Sequence, residues 1–401
     1  MLDSALSAVY KLIYVVVLRL LVSKFLMGEF DPMASRRTHK SSHAKPLKNL
    51  RGQIDRLDRD ILELLNERAE LASRIGEVKN ESGLEIYSPG REEEVIAQVV
   101  QVNPGPLQEQ CVRTIFRELM SGSRALQKVL KVAYLGPEYS FSHLASLEKF
   151  GHSVECIPVG SIQAVFEEVN RGHADFGLVP VENSTDGRIS DTLEMFTRLP
   201  LRICSEVRLR VHHNLLAKCH QADIRRVYSR QQALSQCRGW LSKNVPQAQL
   251  IEVTSTATAA KLVQSEPNAA AVASRQAAAH YGLDIVARSI EDVEHNTTRF
   301  AVIGEHPNPR TGRDKTAVMF QIPHKPGSLA DVLNVFKRNR VNLTWIESFP
   351  SREAEQEYLF FVDFEGHPSE GRIRRALSAL ERRCDHLVVL GSFPVSECYD
   401  A

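Results

Sequence analysis

The pattern of apolar and polar positions divides the chain into stretches of different texture. Between residues 48 and 80 apolar residues recur at helical spacing, which predicts one long amphipathic helix. Two shorter helices are predicted over about 89–102 and 107–130, separated by the breaker Asn103-Pro-Gly-Pro106. Because three helices with few other elements make a thin core, we expect this segment to pair with a second copy.

From Lys131 onward, short apolar strands alternate with amphipathic helices up to about residue 290. This alternation predicts an α/β fold in which helices cover parallel sheets. Ligands of such sheets bind beyond the carboxyl ends of the strands, where the polar clusters at Gly136, Glu182 and Ser229 are predicted to lie. After a linker rich in proline, glycine and charge, residues 315–392 follow a βαββαβ order, which is typical of a ferredoxin-like α+β domain.

Composition and charge exclude several classes of protein. The chain has 401 residues, of which 43% are hydrophobic and 25% are charged, and its net charge is +1. These values are ordinary for a soluble globular protein and imply no bulk attraction to nucleic acid. Seven scattered cysteines without a CxxC pair favour reduced thiols in the cytoplasm over a zinc site or a disulfide framework. The chain lacks a Walker loop and a dinucleotide fingerprint, so we expect no cofactor and no metal.

The N-terminus carries an isolated apolar run from Leu12 to Leu18, closely bracketed by basic residues. This run is far shorter than the roughly 18–20 residues that span a bilayer, and no clear small-residue cleavage site follows it. An interfacial anchor stays open. We favour Met33 as the start of the functional protein and interpret residues 1–47 as a disordered or mis-started extension, with no membrane partner.

Three polar, turn-forming clusters carry the candidate chemistry. They are Tyr134-Leu-Gly-Pro-Glu-Tyr-Ser-Phe-Ser-His143, Val179-Pro-Val-Glu-Asn-Ser-Thr-Asp-Gly187 and Asn296-Thr-Thr-Arg-Phe300. Singly they are weak signals, because threonine before a strand is usually a turn former and asparagine often caps a helix. Together and in this order they resemble prephenate dehydratase, which implies a two-lobed, periplasmic-binding-like fold over residues 131–306. Residues 48–130 resemble the all-helical chorismate mutases, and residues 314–392 resemble an ACT regulatory domain.

The mutase resemblance implies a site for the dianion chorismate, whose rearrangement to prephenate needs positioning and charge stabilisation but no nucleophile. Arg68 and Lys79 lie eleven residues apart and so share a helix face, whereas Arg51 points elsewhere. Periodicity alone is equally compatible with a solvated face. The residues that match the family site are Arg51, Arg68, Lys79, Ser88, Arg91, Glu92, Ser123 and Gln127.

Within this set the resemblance implies distinct roles. Arg51 of the partner subunit and Arg68 would clamp carboxylates, while Lys79 and Gln127 would address the breaking ether oxygen. Glu92 would take the ring hydroxyl. Ser88 stands where many relatives have Asp, which places one hydroxyl contact in doubt.

The dehydratase resemblance implies conversion of prephenate to phenylpyruvate, water and carbon dioxide. Aromatisation drives this reaction, so a donor to the leaving hydroxyl suffices, and Thr298 matches that role. The sequence departs from the family pattern at Arg230-Gln231, where His-Pro is common. His143, in the first cluster, is only a possible substrate contact. The predicted substrate-binding residues are Asn183, Ser184, Thr185, Ser229, Gln236 and Arg299.

The ACT resemblance implies a phenylalanine site that regulates the dehydratase. Alone, Gly327 indicates a helix start and Glu347 a surface carboxylate. Backbone groups at a helix start suit the carboxylate of an amino acid. Phe349 stands where relatives often have Arg. The residues that match the two binding motifs and the adjoining interface are Gly327, Ser328, Leu329, Asn342, Leu343, Glu347 and Ser348.

Three hypotheses follow from these patterns. The leading hypothesis is a cytoplasmic, homodimeric, bifunctional enzyme of phenylalanine synthesis, with phenylalanine as its effector. A narrower hypothesis keeps the dehydratase but makes the helical segment only a dimerisation arm, which Ser88 motivates. The third is a solute-binding module with an ACT amino-acid sensor, for which the N-terminal apolar run would be an export or anchor signal.

Overall fold

The computed structural model describes residues 44–83, 85–350 and 358–400. The apolar run from Leu12 to Leu18 and the favoured start at Met33 lie outside these residues. Two compact units form, the first ending at Ile75 and the second beginning at Gly76. Among the described residues, no helix combines the length and the apolar character needed to cross a membrane.

In its described part, the first unit consists of most of helix α1, which runs from Ala44 to Glu81. The prediction of one long helix is confirmed. Its larger apolar residues alternate at intervals of four and three, a period of 3.5, and Arg68 takes one place in that series. Each of these apolar side chains is more than half exposed within the single chain: Leu50, Ile54, Leu57, Ile61, Leu64, Leu71 and Ile75.

After the last residues of α1, the second unit continues with the remaining two predicted helices. They are α2, Pro89–Val102, and α3, Glu109–Ala125, which ends earlier than predicted. Both pack on the following α/β region through buried charges. The Arg117 guanidinium contacts a carboxylate oxygen of Glu148 at 2.7 Å, and Lys149 Nζ contacts Glu93 Oε1 at 3.2 Å.

The α/β region forms two lobes, as predicted. Its elements in chain order are β1 Lys131–Leu135, α4 Phe141–Phe150, β2 Glu155–Val159, α5 Ile162–Asn170, β3 Phe176–Asn183, β4 Gly187–Arg188, α6 Ser190–Arg198, β5 Arg202–Arg210, β6 Asn214–Ala217, β7 Arg226–Ser229, α7 Gln231–Gln236, α8 Arg238–Asn244, β8 Gln249–Glu252, α9 Thr256–Val263, β9 Ala269–Ala273, α10 Arg275–Tyr281, β10 Asp284–Ala287 and β11 Thr297–Gly304. A single helix predicted over 231–241 is in fact the pair α7 and α8.

The sheets of both lobes are mixed, so the prediction of parallel sheets was wrong. In the first lobe β1 lies parallel to β2 and β3, but β11 runs antiparallel to both β3 and β5. In the second lobe β7 lies parallel to β8 and β9, whereas β6 is antiparallel to β9 and β10. The antiparallel pairing arises because β11 returns from the second lobe and enters the first sheet in the opposite direction.

The C-terminal part has the predicted ferredoxin-like order. Its elements are β12 Asp314–Gln321, α11 Ser328–Arg338, β13 Leu343–Pro350, β14 Tyr358–Glu365, α12 Gly371–Glu381, β15 His386–Pro394 and a final short strand β16, Cys398–Asp400. The antiparallel sheet has the order β13-β14-β12-β15, while β16 joins the first lobe beside β5.

One face of the ACT-like sheet carries its own core, and the other shares a core with the first lobe. Phe320 and Phe336 pack among the helices α11 and α12. On the opposite face, Met319 and Phe361 belong to one cluster with Ile303 of β11. The ACT-like sheet therefore packs directly against β11, the strand that carries Thr298.

Candidate active sites

Thr298 and Asn183 meet on neighbouring strands. They are paired in register between β11 and β3, and Asn183 Nδ2 donates to Thr298 Oγ1 at 2.8 Å. Asn183 Nδ2 also donates to Asn296 Oδ1 at 2.9 Å, while Asn183 Oδ1 accepts from the backbone N–H groups of Thr185 and Asp186. Since an amide has two donor hydrogens and two acceptor positions, Asn183 is fully engaged within the protein. The structure therefore gives it the task of holding Thr298.

The turn after Asn183 is fastened to the segment before Thr298. Ser184 Oγ donates to the His295 carbonyl at 2.9 Å and accepts from the Thr297 N–H at 2.9 Å. Thr185 Oγ1 donates to Asn296 Oδ1 at 3.4 Å. Both hydroxyls thus lie beside Thr298, as the sequence predicts, in a cluster of neutral polar groups.

Gln236 joins the second lobe to this cluster. Its Nε2 donates to Asp186 Oδ2 at 2.9 Å, and its Oε1 accepts from Asn296 Nδ2 at 2.8 Å. His213 Nε2 lies 2.9 Å from the same Oε1 and must be the donor, because that amide oxygen only accepts. Burial lowers the pKa of His213, so its imidazole is held neutral with the proton on Nε2.

Asn296, Asp186 and His213 were missed as site residues. Asn296 and Asp186 lie inside two of the three polar clusters, but nothing in the neighbouring sequence marks either residue as functional. His213 sits where the chain first crosses between the lobes, with Phe141 of the first motif edge-on to its ring at 5.6 Å. The pair His212-His213 between two apolar runs was the available signal.

Two predicted dehydratase residues point elsewhere. Ser229 is fully buried at the end of β7, and its hydroxyl donates to the Val272 carbonyl at 2.6 Å. Arg299 faces away from Thr298, because adjacent residues of a strand alternate sides. Its guanidinium is buried and pairs with Glu206 at 2.9 Å and with Asp363 of β14. Direct substrate contact by Arg299 is therefore corrected to a link between the lobe and the ACT-like sheet.

His143 of the first motif is also internal. Its Nδ1 accepts from the Tyr139 N–H at 3.0 Å, and its ring stacks on Tyr134 with 5.1 Å between centroids. Burial lowers the pKa of His143. The contacts describe a structural histidine rather than an exposed base.

In the mutase-like region of the second unit, Gln127 lies against the helix turn that precedes Lys79. Gln127 packs against Gly76, three residues before Lys79, and a Cβ on Gly76 would lie 2.5 Å from Gln127 Cγ. Glycine is therefore required for this close approach. Lys79 Nζ donates to the backbone carbonyls of Glu85 and Ile86 at 3.0 and 2.9 Å, and burial lowers its pKa.

The other predicted mutase residues of this unit have internal partners. Glu92 pairs with the buried Arg124, which also donates to the Phe150 carbonyl, so Glu92 does not present an unpaired carboxylate for a ring hydroxyl. Ser123 donates to the Leu119 carbonyl at 2.7 Å. Gln127 lies past the end of α3, which finishes at Ala125.

The remaining mutase residues are local features. Ser88 is the N-cap residue of α2, without a side-chain capping bond, and the exposed Arg91 pairs with Glu94 at 2.6 Å. Arg51 and Arg68 belong to the first unit, the former exposed and the latter half-buried. Their shared site with Lys79 and Gln127 stays a prediction.

The two ACT motifs lie on different elements. Gly327 begins α11 with φ of 89°, a left-handed conformation that favours glycine, and Ser328 and Leu329 form the first turn. Asn342 Nδ2 donates to Glu365 Oε1 at 3.1 Å, beside Leu343 at the start of β13. Glu347 and Ser348 lie further along β13, an edge strand, and both accept hydrogen bonds from Arg188 of β4.

Within the described ranges, no group of three or more His, Cys, Asp or Glu residues is arranged to hold a metal ion. The side chains bonded to Thr298 and Asn183 are amides and hydroxyls, which suit proton donation and hydrogen bonding to a polar substrate, while the Asp186 carboxylate joins the cluster through Gln236. The fold and this cluster define the class of prephenate dehydratases that carry an ACT domain.

Comparison with known proteins extends this assignment to the whole chain. Three family models match in order: "Chorismate mutase type II" over residues 50–128, "Prephenate dehydratase" over 132–308 and "ACT domain" over 316–382. The bifunctional chorismate mutase/prephenate dehydratase of Aquifex aeolicus is 44% identical over 353 residues, covering 87% of this chain and 98% of that protein. The chain belongs to the bifunctional chorismate mutase/prephenate dehydratase family. It therefore rearranges chorismate to prephenate and converts prephenate to phenylpyruvate.

Two solved structures share the fold of the dehydratase and ACT regions. The prephenate dehydratase of Arthrobacter aurescens, in complex with L-Phe, has a TM-score of 0.62 and 31% identity over 66% of this chain and 90% of its own. GqqA, described as a novel type of quorum quenching acylase, has a TM-score of 0.61 and 30% identity over 66% of this chain and 98% of its own. Because one fold carries different named activities, the assignment here rests on the full-length relative and the family models.

Proposed function

We propose that Thr298 is the proton donor to the leaving ring hydroxyl of prephenate. The observation that carries this role is the 2.8 Å bond from Asn183 Nδ2 to Thr298 Oγ1. Because the threonine oxygen accepts there, its own hydrogen is directed away from Asn183 and is available to a substrate oxygen. The ring carboxylate departs as CO₂ and leaves the electrons of its C–C bond in the ring. As the ring becomes aromatic, the ring C–O bond breaks. The hydroxyl leaves as water, and solvent returns a proton to Thr298.

The other cleft residues complete this site. Gln236 and His213 fix Asn296, which in turn shares the Asn183 amide, so the second lobe helps to orient Thr298. Ser184 and Thr185 fasten the turn beside Thr298, because each donates its single hydroxyl hydrogen to a group of the protein. Ser229, fully buried behind this surface, shapes the end of β7 through its bond to β9.

For the mutase, the side chains proposed to bind chorismate are three cations and one amide. Arg68 and the partner's Arg51 clamp carboxylates, while Lys79 and Gln127 stabilise the breaking ether oxygen. The packing of Gln127 at Gly76, one helical turn from Lys79, supports the last pair. Ser88, Arg91, Glu92 and Ser123 are retained as neighbours of this site.

A homodimer is the proposed assembly, built on the exposed apolar series of α1. A series with a period of 3.5 residues pairs with another helix, and here the single chain leaves it uncovered. A second copy offers the same series, as a two-fold interface requires. Sedimentation equilibrium should give twice the mass of 45.0 kDa, and replacing Ile54 and Ile61 by Glu should give monomers without mutase activity. A dimeric Ile54→Glu/Ile61→Glu variant would contradict this interface.

The proposed domain bounds are 48–130 for the mutase, 131–306 for the dehydratase and 314–392 for the ACT domain. The proposed regulation is feedback inhibition by phenylalanine at the ACT domain. The open first turn of α11 behind Gly327 offers N–H groups to an amino-acid carboxylate, and the A. aurescens relative is described with L-Phe. The proposed compartment is the cytoplasm, in keeping with the free cysteines of the described chain.

One assay tests the combined proposal. A single purified chain should convert chorismate to phenylpyruvate, and phenylalanine should slow the second step while equilibrium dialysis shows it bound. Formation of prephenate without phenylpyruvate would contradict the site around Thr298. Conversion that is unaffected by phenylalanine, with no binding, would contradict the regulatory role.

A further inference from the structure

A single arginine joins the hairpin of the dehydratase site to an ACT motif. Arg188 Nη1 donates to Glu347 Oε2 at 3.1 Å and to the Ser348 carbonyl at 2.8 Å. Arg188 is the last residue of β4, whereas Glu347 and Ser348 lie on β13, the edge strand of the ACT sheet. The two regions that would have to communicate are therefore in direct contact through one side chain.

The hairpin that carries Arg188 also carries Asn183. Strands β3 and β4 pair Asn183 with Gly187 and Glu182 with Arg188. The turn between them is closed by two backbone N–H groups that donate to Asn183 Oδ1. Because this turn is short and hydrogen-bonded, a displacement of Arg188 also displaces the Asn183 amide that holds Thr298.

We propose that Arg188 is the coupling residue through which occupancy of the ACT region sets the position of Asn183 and Thr298. The inference rests on the proposed binding of phenylalanine at the ACT region. A ligand that binds beside Glu347 and Ser348 competes with, or displaces, the bond to Arg188. The hairpin then loses its outer support, and the donor geometry at Thr298 changes. A ligand can shift an equilibrium only by contacting two states differently, and this bond supplies such a difference.

The exposure of Arg188 suits it to this task better than Arg299. Its side chain is 37% exposed and that of Glu347 is 27% exposed, so water can replace the bond when it opens. Arg299 also connects the catalytic strand to the ACT sheet, but its partners Glu206 and Asp363 are completely buried. Opening that network would leave charges unpaired in the core, so it acts as a fixed anchor.

The test compares Arg188→Gln with Arg198→Gln in the full-length protein. Arg198 is a matched control, because it lies on α6 of the same lobe, is half-exposed and pairs along its own helix with Glu194. Phenylalanine binding is measured by equilibrium dialysis, and dehydratase rates are measured over a range of phenylalanine concentrations. Arg188→Lys, which keeps the charge but not the planar guanidinium, should fall between wild type and Arg188→Gln.

The expected result is separation of binding from inhibition. Arg188→Gln lacks the bond that the effector would displace, so its rate without effector should already be lowered about fivefold or more towards that of the inhibited wild type. It should still bind phenylalanine, yet phenylalanine should slow it further by less than about twofold. Arg198→Gln should behave as wild type. Equal inhibition of Arg188→Gln and wild type would overturn the inference. Absence of binding and inhibition in the wild type would instead overturn the proposed effector, which keeps the two failures distinct.

Discussion

The dehydratase site and the mutase segment recognise similar substrates with different kinds of side chain. Both substrates are small dianions, yet the side chains bonded to Thr298 and Asn183 are neutral amides and hydroxyls, and the Asp186 carboxylate of the same cluster is held by Gln236. The mutase candidates are mainly cations, and two of them, Arg51 and Arg68, lie on a helix whose apolar side chains are uncovered in the single chain. The cluster around Thr298 is assembled within one chain, whereas the proposed mutase site takes Arg51 from a second copy.

This difference follows from the chemistry of the two reactions. Loss of the ring hydroxyl is driven by aromatisation, so a pre-oriented donor suffices and neutral groups can be buried at little cost when they bond to each other. The mutase reaction must stabilise charge on an ether oxygen, which favours cations, and cations are hard to bury in a thin helical core. A site placed between two copies gains the missing walls.

The largest effect should come from removing the hydroxyl of Thr298. Thr298→Val preserves the shape of the side chain, so the dehydratase kcat should fall by about 10²–10⁴ while mutase turnover is unchanged. Stopped assays for phenylpyruvate and for chorismate consumption measure both. Thr297→Val is the matched control, because its backbone N–H still donates to Ser184. A similar loss in both variants would show that the neutral cluster does not single out Thr298.

Subunit mixing tests whether the mutase site needs two chains. Arg51→Ala and Arg68→Ala should each lower mutase activity by about 10²–10³. Mixed after dissociation, they should recover about a quarter of the wild-type activity, because half of the dimers would be mixed and have one intact site. Dehydratase activity should remain throughout. No recovery in confirmed mixed dimers would place both arginines in the site of one chain, and the mutase site would then not need a second copy.

Charge in the dehydratase region should matter for stability rather than for substrate binding. Arg299→Met leaves the carboxylates of Glu206 and Asp363 buried without their common partner. The free energy of unfolding in urea should fall by about 3–5 kcal/mol. Arg210→Met, which removes an exposed pair with Asp400 on the neighbouring strand, should cost less than about 1 kcal/mol. If the KM for prephenate rose in Arg299→Met without loss of stability, Arg299 would be a substrate ligand after all.

The smallest effect concerns pH. Burial lowers the pKa of His213, so the unfolded chain takes up this proton at a higher pH than the folded chain. The free energy of unfolding should therefore decrease as the pH falls below the ordinary histidine value of about 6.5. His213→Gln keeps a donor to Gln236 and should flatten this slope by at most about 1.4 kcal/mol per pH unit. Phe141→Leu, which weakens packing on the same ring, should lower stability without flattening the slope.

Sequence periodicity predicted the helices and most strands because local burial patterns determine them. It could not predict that β11 runs antiparallel between β3 and β5, since that pairing joins residues 87 to 126 positions apart. The two-lobed division and the ferredoxin-like order were confirmed, whereas the parallel sheets were not.

For the site, motif order identified Thr298 and Asn183, which the structure brings into contact. The direction of Arg299 and the pairing of Glu92 with Arg124 depend on tertiary partners that no spacing reveals. His213 was missed for the same reason, because its role comes from Gln236 on the second lobe. The sequence therefore identified the pair of residues that meet, Thr298 and Asn183, and the three-dimensional packing decided which neighbours face them.

The insertion of β11 between β3 and β5 has a consequence for biosynthesis. The first lobe cannot close until the ribosome has made the whole second lobe, because the central strand emerges only after it. Such a sheet depends on contacts distant in sequence, which slows folding. A chain stopped before Thr297 would expose the edges of β3 and β5 to other nascent chains, and unpaired strand edges promote aggregation. The position of one strand thus makes this enzyme sensitive to interrupted translation.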